Sequence, residues 1–157
     1  MKKVFIYVGH SNWGKSMALK IITGNNRHQK TVQISGYNVR VRKMSNDDHG
    51  QKLLDWVKTF PRQAYDRHII AFCPKVSPPT GNATPAQLIA ADILIELQKT
   101  NLIYFFVQEE KYNNPQDKIT TTEIGLLNFF GTVHVLHGQN QDNVRAQEFH
   151  RFVSQNI

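Results

Sequence analysis

The chain has 157 residues, of which 40% are hydrophobic and 20% are charged, and its formal net charge is +7. This length suits a single domain, the apolar content excludes a disordered chain, and no apolar run approaches the length of a membrane span. A single cysteine, Cys73, excludes an internal disulfide, and the apolar run after the first three residues is too short for a signal peptide. We therefore expect a cytoplasmic protein with one domain over residues 1–157.

The first elements in chain order are a strand, a helix and a hairpin. Residues 4–8 are apolar throughout, which predicts a strand buried on both faces. Residues 16–23 have apolar side chains at helical spacing. After the polar segment 25–30, hydrophobic and polar residues alternate over 31–35 and 38–43, which predicts two antiparallel strands.

The rest of the chain alternates between helical and strand patterns. In order, these patterns predict a helix ended by Pro61, a buried strand at 68–73, a Pro-rich loop at 74–83, a helix from Pro85 to about Lys99, a buried strand at 102–107, a helix from Thr120 to Gly131, a strand at 133–136 and a helix at 143–153. Strands that alternate with helices pair in parallel, with helices on both faces of the sheet. We expect a three-layer α/β fold with a mostly parallel sheet and one antiparallel hairpin strand.

A phosphate-binding motif lies between the first strand and the first helix. Residues 9–16 match G-x-x-x-x-G-K-[ST], and a strand before it and a helix after it are the context that this motif requires. The glycines let successive backbone amides converge on phosphate oxygens, and the helix N-terminus adds its dipole. The residues expected to contact the phosphates are Gly9, Ser11, Asn12, Trp13, Gly14, Lys15, Ser16 and Met17.

Two side chains of this loop have specific chemical roles in the hypothesis. Lys15 supplies a positive charge to the terminal phosphates, which makes it a catalytic candidate. Ser16 supplies a hydroxyl ligand to Mg²⁺, which prefers oxygen donors. Trp13 either covers the phosphates or packs against the core and fixes the loop. The motif predicts a P-loop NTPase fold that binds a nucleoside triphosphate with Mg²⁺.

A second group of polar residues flanks the predicted hairpin. Thr31 begins the first hairpin strand and Asp47 follows the second, so a hydroxyl and a carboxylate could complete the magnesium shell. Asp48 competes with Asp47 for this role. The Gly50 amide could contact the terminal phosphate, and Gln51 could orient an attacking water as a catalytic residue. The alternative interpretation of this acidic segment is an ordinary surface turn.

Together these features resemble the Ras-like and Era-like small GTPases. The order of phosphate loop, threonine, antiparallel hairpin and D-x-x-G-Q is similar to theirs, and the form G-x-S-N-x-G-K-S is similar to the loop of the Era-like group. The resemblance implies a six-stranded sheet, binding of GTP and Mg²⁺, switch segments around Thr31 and Gly50, and slow hydrolysis stimulated by partners.

The same resemblance implies base-recognising residues in the second half of the chain. Residues 114–117 offer an N-x-x-D in place of N-K-x-D, a few residues beyond the expected position. The Asp117 carboxylate, beside Asn114, could accept hydrogen bonds from the ring nitrogen and amino group of guanine. Gly138 follows the last strand, where a backbone amide could contact the base. Both segments are also typical of plain turns.

Three classes of function stay open at this point. The first is a GTPase-like switch, the second a small nucleotide or nucleoside kinase, and the third a non-hydrolysing binding module related to the GTPases. Residues 1–75 contain 14 of the 19 Lys and Arg residues but only four of the 12 acidic ones. An acidic protein or an RNA could dock on this basic half, or the charges simply form a solvated surface.

Overall fold

The structure of the chain, a computed structural model, describes residues 1–24, 29–77 and 83–157. Parts of the polar segment 25–30 and of the Pro-rich loop 74–83 therefore lie outside the described residues. Within these ranges strands and helices alternate, as the sequence pattern predicts. No helix of the described ranges has the length and apolar character needed to cross a membrane.

The elements are numbered in chain order. The strands are β1 Lys2–Val8, β2 Gln29–Ile34, β3 Tyr37–Arg42, β4 Arg67–Phe72, β5 Asn101–Gln108, β6 Glu110–Lys111, β7 Asn114–Lys118 and β8 Thr132–Leu136. The helices are α1 Lys15–Thr23, α2 Asn46–Val57, α3 Ala91–Gln98, α4 Thr121–Leu127 and α5 Asp142–Asn156. Two 3-10 turns cover Phe60–Arg62 and Pro85–Gln87.

Six strands form one sheet in the order β2-β3-β4-β1-β5-β8. Neighbours pair in parallel from β3 to β8, and only the edge strand β2 pairs antiparallel, with β3. β6 and β7 form a separate antiparallel hairpin between β5 and α4. The mostly parallel sheet of six strands with one antiparallel hairpin strand is confirmed.

Alternating residues of β1 divide the core into two layers. Phe5 and Tyr7 pack with the apolar faces of α1 and α5, in a cluster that includes Leu19 and Phe149. The intervening side chains, among them Ile6, pack on the other face against α2, α3 and α4. Successive strand residues point to opposite faces, so an apolar run at both parities gives a strand that is covered on both sides. The three-layer α/β architecture is confirmed.

The position of β1 determines where its following loop lies. β1 is flanked by β4 and β5, and Val8 is in register with Phe72 and Val107. The loop at residues 9–14 therefore emerges at the carboxyl edge of the sheet between the ends of its two neighbours. In open α/β sheets this edge is where ligands bind.

Three segments differ from the sequence-based expectation. The predicted helix from Pro85 begins as a three-residue turn with the expected Thr84–Gln87 capping box, but α3 starts only at Ala91. The reason is that Leu88 is buried and forms a bridge with Val76, which interrupts the helical path. α2 begins at Asn46, so the D-x-x-G-Q residues are helical rather than a loop. The segment between β5 and α4, for which the sequence pattern predicts no strand, contains the β6–β7 hairpin.

Candidate phosphate-binding site

The loop between β1 and α1 has backbone conformations that few residues accept. Asn12 and Gly14 both have positive φ, at 64° and 82°, and Gly14 is the N-cap of α1. Trp13 N–H donates to His10 O at 3.3 Å, which closes a tight turn. Glycine has no β-carbon and enters the left-handed region without strain, so the second glycine of the motif suits this junction.

The first turn of α1 leaves backbone donors without intrahelical partners. The Ala18 amide donates to Gly14 O at 3.0 Å, and the preceding amides of Lys15, Ser16 and Met17 lack an acceptor within the helix. They lie at the positive end of the helix dipole, directly after the loop. This arrangement can receive an anion such as phosphate.

Lys15 is turned into the loop rather than towards solvent. Its side chain is only 6% exposed, and Nζ donates to His10 O at 2.8 Å. The same Nζ lies 3.4 Å from Asp47 Oδ2, an ion pair that joins α1 to the first turn of α2. A buried ammonium group with one carboxylate partner is a site where an incoming anion can compete.

Asp47 is close to the loop, as the sequence predicts, but it lies in the first turn of α2 rather than on a loop. Ser11 Oγ donates to Asp47 Oδ2 at 2.8 Å. Burial acts to raise the pKa of this carboxyl, but hydrogen bonds from Ser45 and Ser11 and the Lys15 charge outweigh it and hold the pKa below its ordinary value. Asp47 Oδ1 is buried and has no hydrogen-bond partner among the described residues.

The start of α2 is tied to the end of β4 by one side chain. Asn46 Oδ1 accepts from Cys73 N–H at 2.6 Å, and Asn46 Nδ2 donates to Cys73 O at 3.0 Å. The amide of Asn46 thus pairs with both backbone groups of the residue that follows β4. Asp47, the next residue, is held beside the phosphate loop by this contact.

His10, Cys73 and Glu123 form a cluster on the other side of the loop. His10 Nδ1 lies 3.6 Å from Cys73 Sγ, and His10 Nε2 lies 3.0 Å from Glu123 Oε2, close enough for an ion pair but not aligned as a hydrogen bond. Burial acts to lower the pKa of His10, but the contacts with Cys73 and Glu123 outweigh it and raise the pKa to about 9. His10 is therefore charged at neutral pH.

The sequence did not predict this cluster, although Glu123 and Cys73 each lie in a recognisable local pattern. Thr120-x-x-Glu123 predicts a capping box, and Thr120 does accept from Glu123 N–H at 3.1 Å. The second contact of Glu123, with His10, comes from residues 113 positions apart in the chain. Cys73 is buried, as its apolar surroundings predict.

Other loop side chains divide between packing and exposure. Trp13 is 5% exposed and belongs to the core cluster, and its ring meets that of His10 edge to face at 5.1 Å. Trp13 therefore packs against the core and fixes the loop. Asn12, Ser16 and Met17 are exposed. Gly9 N–H donates to Phe72 O at 3.1 Å and continues the pairing of β1 with β4.

The structure does not bring Thr31 to the loop. It lies on β2, the edge strand, with β3 and β4 between it and β1. Its hydroxyl donates to Tyr65 Oη at 3.0 Å and accepts from Arg40 Nη1 at 3.3 Å. The predicted role of Thr31 as a magnesium ligand is therefore not supported, because the strand order separates the hairpin from the phosphate loop.

Gly50 and Gln51 lie in the second turn of α2. The sequence-based hypothesis instead places them on a loop beside the terminal phosphate. The Gln51 amide is exposed and donates to Asp55 Oδ1 at 2.8 Å, one turn further along the helix. Gly50 is helical, so its amide belongs to the helix interior. The side chain of Asp48, the alternative metal ligand, lies outside what the structure describes.

The predicted base-recognising residues are on the β6–β7 hairpin and in the loop after β8. Asn114 Nδ2 donates to Asp117 Oδ2 at 3.0 Å, and both side chains are exposed. Gly138 has a positive φ of 81° in the turn between β8 and α5. The structure brings Asp117 near the phosphate loop, where it lines one depression together with Ser11.

Among the described residues, one depression adjoins the phosphate loop and another adjoins the first turns of α1. The first, of about 370 Å³, is lined by His10, Ser11, Trp13, Lys75, Gln116, Asp117 and Lys118. The second, of about 410 Å³, is lined by Met17, Ile21, Tyr112, Gln141, Asp142 and Asn143. Either can accommodate part of a nucleotide-sized ligand.

No family model matches the sequence, and no curated protein matches it at a significant level. The motif at residues 9–16 and the contacts of its residues are therefore the features that indicate a function.

Proposed function

We propose that the chain binds a nucleoside triphosphate with Mg²⁺ through residues 9–16 and hydrolyses it slowly, as a GTPase-like switch. The observation that supports this proposal best is the buried Lys15 ammonium at the strand–loop–helix junction, beside amides of α1 that lack intrahelical acceptors. The resemblance to the small GTPases favours GTP as the nucleotide.

When a triphosphate binds, it replaces the Asp47 carboxylate as the ionic partner of Lys15. In the structure described above, Lys15 Nζ is within 3.4 Å of the Asp47 carboxylate. A triphosphate carries more negative charge than one carboxylate, so it attracts the ammonium more strongly and draws it away from Asp47. The amides of Lys15 and Ser16 then donate to phosphate oxygens, and Lys15 stabilises the charge that develops in hydrolysis.

The residues around Asp47 fit a magnesium ion. Asp47 Oδ1 is a buried oxygen without a partner among the described residues, and Ser16 is exposed in the first turn of α1. Mg²⁺ is bound by one or two protein oxygens together with substrate phosphates and water, and it supplies charge neutralisation on those phosphates. Within the described ranges no three His, Cys, Asp or Glu side chains gather into a metal site, so the ion requires the phosphate oxygens.

The second depression is where we place the base. Met17, Ile21 and Tyr112 are each at least 40% exposed there, an apolar surface next to the helix that receives the phosphates. Gln141 Nε2 donates to Tyr112 Oη at 3.1 Å, so an amide that can both donate and accept lies at its rim. A planar aromatic base suits these groups, and the exposed apolar area needs a partner.

Nucleotide binding tests the proposal directly. GTP, ATP and their diphosphates are titrated calorimetrically with and without Mg²⁺. We expect Lys15→Ala to weaken triphosphate binding by about 100-fold, because it removes the buried cation. Lys99→Ala is the matched control, since Lys99 is an exposed lysine that pairs with Glu96 far from the loop. Unchanged affinity in Lys15→Ala refutes the assignment.

A phosphoryl-transfer enzyme is a second candidate, favoured by the first depression. His10, Lys75 and Lys118 bring positive charge beside Ser11 of the phosphate loop, a place where an anionic acceptor could lie. Phosphate release from GTP without an acceptor supports the switch. Phosphorylation of an added nucleoside or nucleoside monophosphate supports the kinase. If neither activity is observed, the result supports a non-hydrolysing binding module.

The basic half of the chain supports a polyanionic partner, an RNA or an acidic protein. Burial first, and then the charges of Lys20 and Lys30, hold the pKa of Lys43 below its ordinary value, so three lysines from α1, β2 and the end of β3 share one side of the molecule. We place the protein in the cytoplasm, because the free thiol of Cys73 stays reduced in that compartment.

A further inference from the structure

Arg145 is a buried cation in the first turn of α5. The residue is 2% exposed and is the largest of the fully buried side chains among the described residues. Its Nη1 donates to Asn140 O, and its Nη2 pairs with the Asp142 carboxylate. Nε is buried and has no hydrogen-bond partner within the described ranges. Arginine side chains are rarely buried to this extent unless their charge interacts with another group.

The guanidinium group lies directly against the phosphate loop. A β-carbon built on Gly14 would be 2.6 Å from Arg145 Nη2 and 3.2 Å from Asp142 Oδ1. Any side chain at position 14 would therefore displace the arginine. This close approach gives Gly14 a second reason to be glycine, besides its φ of 82°.

The charge of Arg145 is only partly compensated. Its one ion-pair partner in the described ranges is Asp142, whose side chain is 47% exposed and therefore well solvated. Tyr7 lies on the other side, and burial raises the pKa of its hydroxyl while the Arg145 charge opposes that rise. Tyr7 stays protonated and donates to Gln108 Oε1 at 2.9 Å, so it does not neutralise the arginine.

We propose that Arg145 is a positioning residue of the phosphate site, which fixes Gly14 at the start of α1 and adds a positive charge behind the bound phosphates. The inference rests on the proposed function, since it assigns a role within the same site. Arg145 contacts the loop from the protein side, so it acts through Gly14 and through its field rather than by touching the ligand.

Two substitutions at position 145 separate charge from hydrogen bonding. Arg145→Lys keeps the charge, and Arg145→Gln keeps a hydrogen-bond donor without the charge. The probe is inorganic tripolyphosphate, which has the phosphate chain and no base, titrated calorimetrically with Mg²⁺. We expect Arg145→Lys to bind within about twofold of the wild type and Arg145→Gln to bind about tenfold more weakly. If Arg145 has only a structural role, both substitutions should weaken tripolyphosphate binding by the same factor.

Controls keep the test independent of folding and of the main proposal. Arg151→Gln, on the exposed side of the same helix, should change nothing. Thermal unfolding identifies variants that do not fold, and in that case Asp142→Asn decides. It leaves the arginine charge less compensated, so we expect about threefold tighter tripolyphosphate binding.

The outcomes distinguish the two proposals. Equal losses in Arg145→Lys and Arg145→Gln, or weaker binding by Asp142→Asn, overturn the role of Arg145. If Lys15→Ala loses tripolyphosphate while all position-145 variants bind like the wild type, this inference alone fails. If the wild type does not bind tripolyphosphate or any nucleotide, both proposals fail together.

Discussion

His10 and His68 are both largely buried next to the central strand, one at each end of the sheet, and their surroundings displace the two pKa values in opposite directions. His10 lies at the carboxyl edge with Glu123 and Cys73, and its pKa is raised to about 9. His68 lies near the start of β4, where burial first and then the charges of Lys2 and Arg40 lower its pKa to about 3.

The packing around the two rings differs in the same way. The His68 ring stacks on Phe60 with centroids 3.7 Å apart and meets Trp56 edge to face. His68 Nε2 is 3.2 Å from Gln63 Oε1, and Nδ1 is buried without a hydrogen-bond partner in the part of the chain that the structure describes. The amino end of the sheet is thus closed by aromatic contacts. The carboxyl end gathers buried charges with partners that can be exchanged, which is what a ligand site requires.

The largest expected effect removes the aromatic packing at His68. Phe60→Ala deletes a fully buried ring and should lower the free energy of unfolding by about 3–5 kcal/mol. We expect triphosphate affinity of the folded variant to stay near that of the wild type, because Phe60 is at the opposite end of the sheet from the loop. Urea unfolding and calorimetry measure the two quantities. A comparable loss of affinity would remove the distinction between the two ends.

The next effect is a dependence of stability on pH with opposite signs for the two histidines. His68 favours the neutral form in the fold, so its contribution is present above pH 6.5 and is lost as the pH falls towards 3. His10 favours the charged form, so its contribution is present below pH 6.5 and is lost as the pH rises through about 9.

Proton NMR titration of the histidine rings checks both directions. We expect the His10 resonance to titrate near pH 9 and the His68 resonance to keep its neutral shift at pH 5. Assignment uses His10→Gln and His68→Gln variants. If the two rings titrate together near 6.5, the contrast between the two environments is not real.

The smallest effect concerns the partner of His10. Glu123→Gln removes the carboxylate and should lower the His10 pKa. Because the imidazole is partly solvated, we expect a loss of only about 1 kcal/mol of unfolding free energy at pH 6.5 and below, and this loss becomes smaller as the pH rises towards 9. Glu148→Gln, on an exposed face of α5, is the control. A loss of equal size at pH 5 and pH 8.5 would show that Glu123 contributes through the Thr120 cap instead.

Local patterns were sufficient to predict most elements and their layers. The apolar run at 4–8 and the alternation at 31–43 correspond to β1 and to the β2–β3 hairpin. The phosphate motif has its predicted position because strand, loop and helix are contiguous in the chain. These predictions need only neighbouring residues, and neighbouring residues are what a sequence displays directly.

The order of the strands could not be predicted in the same way. β4 lies between β3 and β1, and this placement removes Thr31 from the loop. No local signal specifies which side of β1 a later strand joins. The helical start of α2 was also missed, because an acidic segment with a glycine suits a turn as well as a helix N-terminus. Arg145 was missed because nothing in the sequence around it indicates burial next to Gly14.

The amide of Asn46 has a mechanical consequence for the candidate site. It pairs with both backbone groups of Cys73, the residue after β4, so a side chain of α2 continues the hydrogen bonding at the end of that strand. Cys73 in turn contacts His10 on one side of the loop, while Asp47, the neighbour of Asn46, contacts Lys15 on the other. Because one side chain connects the two flanks of the loop, we expect a displacement of one flank on ligand binding to be accompanied by a displacement of the other.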